Sequence, residues 1–439
     1  MRGWEATAEG GHSFNFPGTT PSYPSSTFAN YKTSLLAQAL DLGINRVRLE
    51  FRLDDYNNTG YVIDPSGPTG AIQPSTATGG QKHYDRFHQA MDTWVTDYRN
   101  LLIARGETLF INFCIVDFRN DGYHAEDTPS EYSLIVKEAV LNFHTSYGFW
   151  PDVIEPVLEP DNSSGNQNWT AAKLANNIVQ ANTDLISAGM PSSVKWFAPS
   201  VTSAANGTTW IADMKTANAS VTALLSTYPY HRYSGTNTDV GNIWTQANSD
   251  SKETAMSEWI GATHLTLYDD ITIGHVSSWE QFTLAFPYDN TETGDRYFDV
   301  NTSTWVVTAF ERTKYFKPYF FAVRQGAVRK GASISGTGSG NGGPLAFRNT
   351  NGTYAVVVKC TGAVTFDISG LPNGTYKVRY TTGDGTNTPS AEWQSLSDQV
   401  VSGGNTGSVA MPGAGVITIY DQTFLDQPDP ERWFKLAIA

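Results

Sequence analysis

The sequence predicts an α/β fold class: a (β/α)8 TIM barrel with a C-terminal antiparallel β-sandwich. Three observations lead there. From about residue 30 to 290, short apolar runs alternate with stretches whose apolar residues recur at helical spacing, and regular strand–helix alternation implies a parallel sheet. Eight such strand positions fit into about 300 residues, which suits a closed barrel better than an open doubly wound sheet. Near Gly326 the pattern changes to short alternating runs separated by turn residues, as in a sandwich of antiparallel strands. The expected boundaries are 1–325 for the barrel, 326–422 for the sandwich and 423–439 for a tail of unassigned role.

The first strand is expected within residues 4–16. A helix at 31–42 ends at Gly43 and leads to a second strand at 44–51. A loop rich in Gly, Pro and Asn occupies 54–82, long enough to suggest a functional segment. The helix at 85–104 carries Phe87, Met91, Trp94, Val95, Tyr98 and Leu102 on one face. It ends at Gly106, and the third strand follows at 109–116. Helices at 131–147, 169–188 and 210–215 alternate with strands at 153–159, 194–199 and 224–231. The seventh and eighth strands are expected at 253–258 and 278–286. Residues 331–344 read as a Gly/Ser linker. The Gly-x-Gly-x-x-Gly match at 338–343 belongs to it, because no helix follows.

Composition narrows the function. Hydrophobic residues are 40% and charged residues 16% of the 439, so a packed core is expected and disorder is not. The net charge of −14 argues against a nucleic-acid partner, since phosphate binding needs a Lys/Arg surface. No apolar run reaches the length of a membrane span. Cys114 lies in a strand-like run and Cys360 far downstream, so two buried thiols are expected rather than a disulfide. Aromatics at 13% suit an extracellular enzyme that stacks rings on sugars. The residues from Met1 to Trp4 carry no signal-peptide pattern, so a secreted protein is expected here in a mature or trimmed form. A monomer is expected.

Two strings carry the chemistry: Val157-Leu158-Glu159-Pro160-Asp161-Asn162 and Ala255-Met256-Ser257-Glu258-Trp259. Each places a glutamate at the end of a strand-like run, the fourth and the seventh. In a barrel, reacting groups stand at the C-terminal ends of the strands. A lone glutamate there would more simply cap a helix or form an ion pair. Two at matching strand ends read as the carboxyl pair of a retaining glycosidase, in which Glu159 protonates the leaving oxygen and Glu258 attacks the sugar. The expected separation is roughly 5–5.5 Å. Burial and the charge of Glu258 are expected to raise the pKa of Glu159. Glu155 is set aside as too deep, although strand alternation would point it the same way as Glu159. Asp117 and His124 follow the third strand as candidates for sugar hydroxyls. Trp259, Tyr230 and Trp169 are candidate stacking platforms. The sequence contains no nucleophile elbow, zinc-type His-Glu-x-x-His or Walker loop. Neither a catalytic metal nor a cofactor is expected.

These strings resemble motifs of the clan A glycoside hydrolases. Residues 147–161 look like the clan's fourth-strand motif and Met256-Ser257-Glu258-Trp259 like its seventh-strand nucleophile segment. The resemblance assigns three further roles. Arg48, in Gly43-Ile44-Asn45-Arg46-Val47-Arg48, supports the nucleophile. His231 or Tyr233, in Tyr230-His231-Arg232-Tyr233, touches it. Trp279 forms the floor under the cleaved sugar. Residues 314–329, leading into a β-domain, are similar to family 30. One position departs: where the clan carries an asparagine that contacts the sugar 2-hydroxyl, this chain has Leu158. Either that contact comes from elsewhere, or the substrate differs there, or the chain is a non-catalytic carbohydrate-binding relative.

Overall fold

The computed structural model describes residues 1–10, 28–52, 61–63, 72–74, 87–118, 125–162, 168–286, 296–301, 303–334, 339–385, 388–404 and 408–423. His124, nearly all of the 54–82 loop and residues 424–439 of the tail lie outside them. Eight parallel strands form a closed barrel: β1 (Gly3–Thr7), β2 (Arg46–Arg52), β3 (Phe110–Val116), β4 (Val153–Glu155), β5 (Lys195–Phe197), β6 (Leu225–Ser234), β7 (Glu253–Glu258) and β8 (Ser278–Phe286). They pair in chain order, and β1 closes the ring by pairing with β8, Trp4 opposite Trp279.

The helices wrap the outside: α1 (Lys32–Leu42), α2 (Thr96–Ala104), α3 (Pro129–Tyr147), α4 (Ala171–Ser187), α5 (Ala204–Ala217), α6 (Asn237–Ser249), α7 (His264–Thr272) and α8 (Glu311–Phe320). Two glycines show why the sequence stops helices where it does. Gly43 and Gly148 end α1 and α3 with φ of 110° and 76°, the left-handed region that side chains disfavour. At Gly43 a Cβ would also lie 2.5 Å from the Phe320 carbonyl oxygen, so the close approach of α8 needs the bare backbone.

Strand alternation sorts the residues into two layers. On β2, Val47, Leu49 and Phe51 face outward into the shell packed by the helices. Arg46, Arg48 and Glu50 face inward. The floor of the interior is apolar: Val153, Phe197 and Ala255 cluster with Phe110. Arg46 lies 3.8 Å over the Phe110 ring and is neutralised by Glu5 at 3.0 Å. Above that floor the interior is polar, with Arg48, Glu50, Glu155, Glu258 and Glu280 all buried, which an ordinary core avoids.

After β8 the chain adds β9 (Arg296–Val300) and β10 (Val307–Ala309), which hairpin onto its edge. The C-terminal strands are β11 (Val328–Lys330), β12 (Gly342–Arg348), β13 (Tyr354–Cys360), β14 (Val364–Phe366), β15 (Gly374–Gly383), β16 (Pro389–Val401), β17 (Val409–Met411) and β18 (Gly415–Asp421). Six make an antiparallel sheet in the order β11-β12-β13-β18-β15-β16, and β14 pairs with β17. On β13, Ala355 and Val357 join the barrel's apolar cluster, whereas Val356, Val358 and Cys360 line a second core with Phe366 and Met411. The sheet therefore buries both faces. The linker expected at 331–344 is shorter than its composition suggests, because Gly342 and Gly343 already pair with Cys360 and Lys359. Both cysteines are free and buried.

Candidate active site

The sixth and seventh strands turn their functional side chains inward in different ways. On β6, His231 and Tyr233 are on the inner side by plain alternation, and Tyr228 and Tyr230 are outside. On β7, alternation alone would put Glu258 on the same outer side as Met256. The register with β6 slips between Met256 and Glu258, and this bulge turns Glu258 into the barrel. The β4 strand stops at Glu155, four residues before the second glutamate. The backbone then leaves the sheet: Leu158 N donates to Ile115 O at 2.9 Å and Glu159 N to Ser200 O at 3.1 Å. Glu159 adopts φ 52°, a left-handed turn residue. The expectation that Glu155 and Glu159 share one strand is corrected by this geometry.

The turn is braced from several sides. Asn162 Nδ2 donates to Glu159 Oε2 at 2.9 Å. Asp161 accepts from Thr202 N at 2.6 Å and from Asn206 Nδ2 at 2.7 Å. His231 Nδ1 lies 2.9 Å from Glu159 Oε1. On the facing side, Arg48 donates to Glu258 Oε2 and, at 3.2 Å, to Ser257 O. Tyr233 donates its hydroxyl to Glu258 Oε1 at 2.7 Å. Arg48 is fully buried, with Glu50 at 3.7 Å and Glu280 at 3.8 Å. One oxygen of Glu159, one of Glu258 and a ring nitrogen of His231 lie within 4.8 Å of one another. Both carboxyls are 6–7% exposed, recessed but not sealed.

The three donors are spaced as a small cation would need. However, the Arg48 guanidinium and the Tyr233 hydroxyl already occupy the two oxygens of Glu258. A fixed positive charge therefore stands where an ion would have to compete.

The electrostatics overturn one expectation. Burial pushes the Glu159 carboxyl up, but the hydrogen bond and charge of His231, with Asn162 and Arg48, outweigh it and hold Glu159 below its ordinary value. Burial pushes His231 down, but the hydrogen bond to Glu159 and the charges of Glu258 and Glu159 raise it. His231, which strand-end spacing does not set beside Glu159, reverses the expected direction. Glu155 goes the other way: burial raises it, against the lowering pull of Arg48, Ser200, His231 and Asn112.

Glu159, Glu258, Arg48, His231 and Tyr233 thus meet in one recess. Asp117 lies buried just past β3, and Trp259 is half-buried just past Glu258. Trp279 does not reach the recess. It faces outward, donates Nε1–H to Asp270 at 3.0 Å and packs edge-on to Phe316 at 5.0 Å. Tyr230 is likewise outside, donating to Asp270 at 2.9 Å. Trp169 is buried edge-on against Tyr132. These aromatics are core because they lie on the outer parity of their strands or under a helix. The inner parity of β8 belongs to Glu280, which bonds Thr7 Oγ1 at 2.7 Å, and to half-buried Phe282, whose ring centroid is 5.9 Å from the Arg48 guanidinium. Counting alternation along β8 would have selected Phe282 over Trp279. Asn112, Asn162 and Ser200 were also missed, and no local motif marks them. Leu158 is buried with Cys114 and Val116, and Phe118 packs against them, an apolar wall at the mouth of β3 and β4.

No protein-family model and no curated protein matches the sequence. Solved structures do match in fold. A family 30 endoxylanase from Clostridium papyrosolvens aligns with TM-score 0.65 at 14% identity, over 96% of each chain. The catalytic domain of a family 30 xylanase C from Talaromyces cellulolyticus aligns with TM-score 0.66 at 15% identity, over 96% of this chain and 97% of that one. An endo-β1,6-glucanase aligns with TM-score 0.63 at 15% identity, over 96% and 90%. The likeness is one of fold: a (β/α)8 barrel with an attached β-domain.

Proposed function

We propose that this protein is a retaining β-glycoside hydrolase that cleaves a polysaccharide by double displacement, with Glu159 as acid/base and Glu258 as nucleophile. The observation that carries the reading is the approach of their oxygens to within 4.8 Å at the C-terminal mouth of the barrel. Retaining enzymes hold their carboxyls about 5–5.5 Å apart, whereas inverting ones need about 6.5–9.5 Å to admit a water between carboxylate and sugar.

The surroundings suit the two roles. Glu258 is held from both oxygens, by Arg48 and by the Tyr233 hydroxyl, so its attacking lone pair is aimed without a search over rotamers. As it bonds to the anomeric carbon, Glu159 delivers a proton to the departing oxygen. The emptied carboxylate then takes a proton from the water that releases the sugar. Tyr233, at 39% exposed, and half-buried Trp259 and Phe282 would border the bound sugar. Asp117 would contact a hydroxyl. The apolar wall at Leu158 offers no hydrogen bond to a 2-hydroxyl, so the substrate is read as one that needs none from this side.

The neighbours named above act on xylan and on a β1,6-glucan by their own descriptions. Xylan, β-glucan and β-galactan are the candidates here. The protein is proposed to be secreted and monomeric. No helix among the described residues is long and apolar enough to cross a membrane. Reducing-sugar release over a broad polysaccharide panel tests the proposal. Turnover that falls at least about 100-fold in both Glu159→Ala and Glu258→Ala supports it, the scale expected when an acid/base group is lost. No turnover on any glycan, with sugar binding retained, would instead favour a carbohydrate-binding relative.

A further inference from the structure

Below Glu159 lies a second glutamate that the double displacement does not use. Glu155 is fully buried on β4. Asn112 Nδ2 donates to its Oε2 at 2.7 Å, which leaves Oε1 as the oxygen able to carry a proton. Ser200 Oγ donates to that Oε1, the arrangement of an ionised Glu155, and the rotatable hydroxyl accepts instead when Oε1 carries the proton. The same hydroxyl lies 3.4 Å from His231 Nε2, and His231 Nδ1 is 2.9 Å from Glu159 Oε1. Four side chains from four segments therefore form one unbroken line from the barrel interior to the acid/base. The line is fixed by backbone geometry: Ser200 sits in the left-handed region at φ 56°, and its carbonyl accepts from Glu159 N. The charged and titratable groups around it are Arg48 on β2, Cys114 on β3, Tyr233 on β6 and Glu258 on β7.

We infer that Glu155, Ser200 and His231 form a buried proton wire that stores the acid's proton and returns it to Glu159. This rests on the assignment of Glu159 as acid/base and gives that assignment its proton source. One proton is shared by Glu155, His231 and Glu159. When it moves outward, the Glu155 Oε1–H bond breaks and Ser200 Oγ gains that proton. Ser200 passes its own hydroxyl proton to His231 Nε2. His231 Nδ1 releases a proton to Glu159 Oε1. The net change is one proton from Glu155 to Glu159, with the negative charge left beside Arg48 and Asn112. Nothing from outside is consumed. The wire accounts for a donor held below its ordinary value: the proton waits on the neighbours and is supplied on demand. Glu155, Ser200 and His231 are positioning residues, since only Glu159 meets the substrate.

The test is a double-mutant cycle read by 15N NMR of the histidine rings in the intact protein, with the His231→Asn spectrum identifying the His231 signals among the eight histidines. Glu155→Gln keeps the shape of the carboxyl but cannot cycle its proton. Ser200→Gly removes the hydroxyl and accepts the left-handed backbone. In the wild type, Glu155→Gln should move the pH at which His231 titrates by about one unit, the coupling expected of groups that share a proton. In the Ser200→Gly background the same substitution should move it by much less. Equal shifts in the two backgrounds, zero included, overturn the wire, because simple charge effects do not need the hydroxyl. Should Glu155→Gln fail to fold, Ser200→Gly alone decides: a His231 titration unmoved from wild type overturns the proposal. The cycle is independent of turnover, so its failure is distinct from failure of the Glu159→Ala and Glu258→Ala test of the glycosidase reading.

Discussion

Replacing Arg48 by methionine is the most informative single perturbation of the recess. Methionine fills similar space and leaves the barrel wall packed, but removes the cation that bonds Glu258 and stands 3.7 Å from Glu50. Breaking a buried ion pair on one side costs about 3–5 kcal/mol, because the remaining charge stays buried without compensation. Unfolding entropy near 2.1 cal/mol/K per residue, over 439 residues, gives about 0.9 kcal/mol/K. The expected fall in Tm is therefore about 3–5 °C. Calorimetry at pH 7.5 and pH 5 measures it. Burial raises the Glu280 carboxyl and Arg48 holds it down, so without Arg48 it takes up a proton more readily and the gap between variant and parent should narrow at the lower pH. A Tm within one degree of wild type at both pH values, as an estimate on that scale, would mean that Arg48 does not hold the interior together. A gap that widened in acid would refute the electrostatic argument outright.

Other outcomes follow from the same geometry. Trp279→Phe should lower stability by about 1–2 kcal/mol through its lost bond to buried Asp270, with KM unchanged, whereas Phe282→Ala should raise KM; steady-state kinetics on the best polysaccharide separates the two. Leu158→Asn should destabilise by about 1–3 kcal/mol in urea melts, because it puts an unpaired amide among Cys114 and Val116. The Glu159–His231 contact has a definite pH window. Glu159 lies below its ordinary value, so its contribution is present above about pH 4.3 and lost as pH falls through the folded value. His231 is raised, so its contribution is full below about pH 6.5 and lost as pH rises through the folded value. Glu159→Gln should therefore cost more stability at about pH 5.5 than at about pH 8.5; equal urea-midpoint losses would contradict the pairing.

The barrel was legible because its signal is repeated: each strand is short and apolar, each helix is periodic, and glycine marks the ends. The meeting of Glu159 and Glu258 was legible because each follows a strand-like run, and a closed barrel gathers its strand ends at one mouth. Trp279 shows where this reasoning stops. A motif gives the strand, but one step of parity decides whether a ring meets the recess or α8, and β8 gives the inner side to Glu280 and Phe282. The bulge at Ser257 makes the opposite point, since without it alternation would have turned Glu258 outward. The pKa of Glu159 was misread because its decisive neighbour, His231, lies 72 residues away in sequence. Ser200 and Asn112 could not have been found from the sequence, for their importance comes only from what the closed barrel sets beside them.

The two carboxyls are mounted differently, and this has a consequence for how such a site can change. Glu258 is part of the sheet, its place set by hydrogen bonds around the whole ring. Glu159 stands on a bracket outside the sheet, pinned by Ser200 O, Thr202 N and Asn206. One jaw is rigid and the other is bolted on. Under the proposed double displacement, the gap that separates a covalent intermediate from direct attack by water would be reset by substitutions in the bracket alone, such as at Asp161, while the barrel is left as it is. On that reading, stereochemical outcome is a property of a turn.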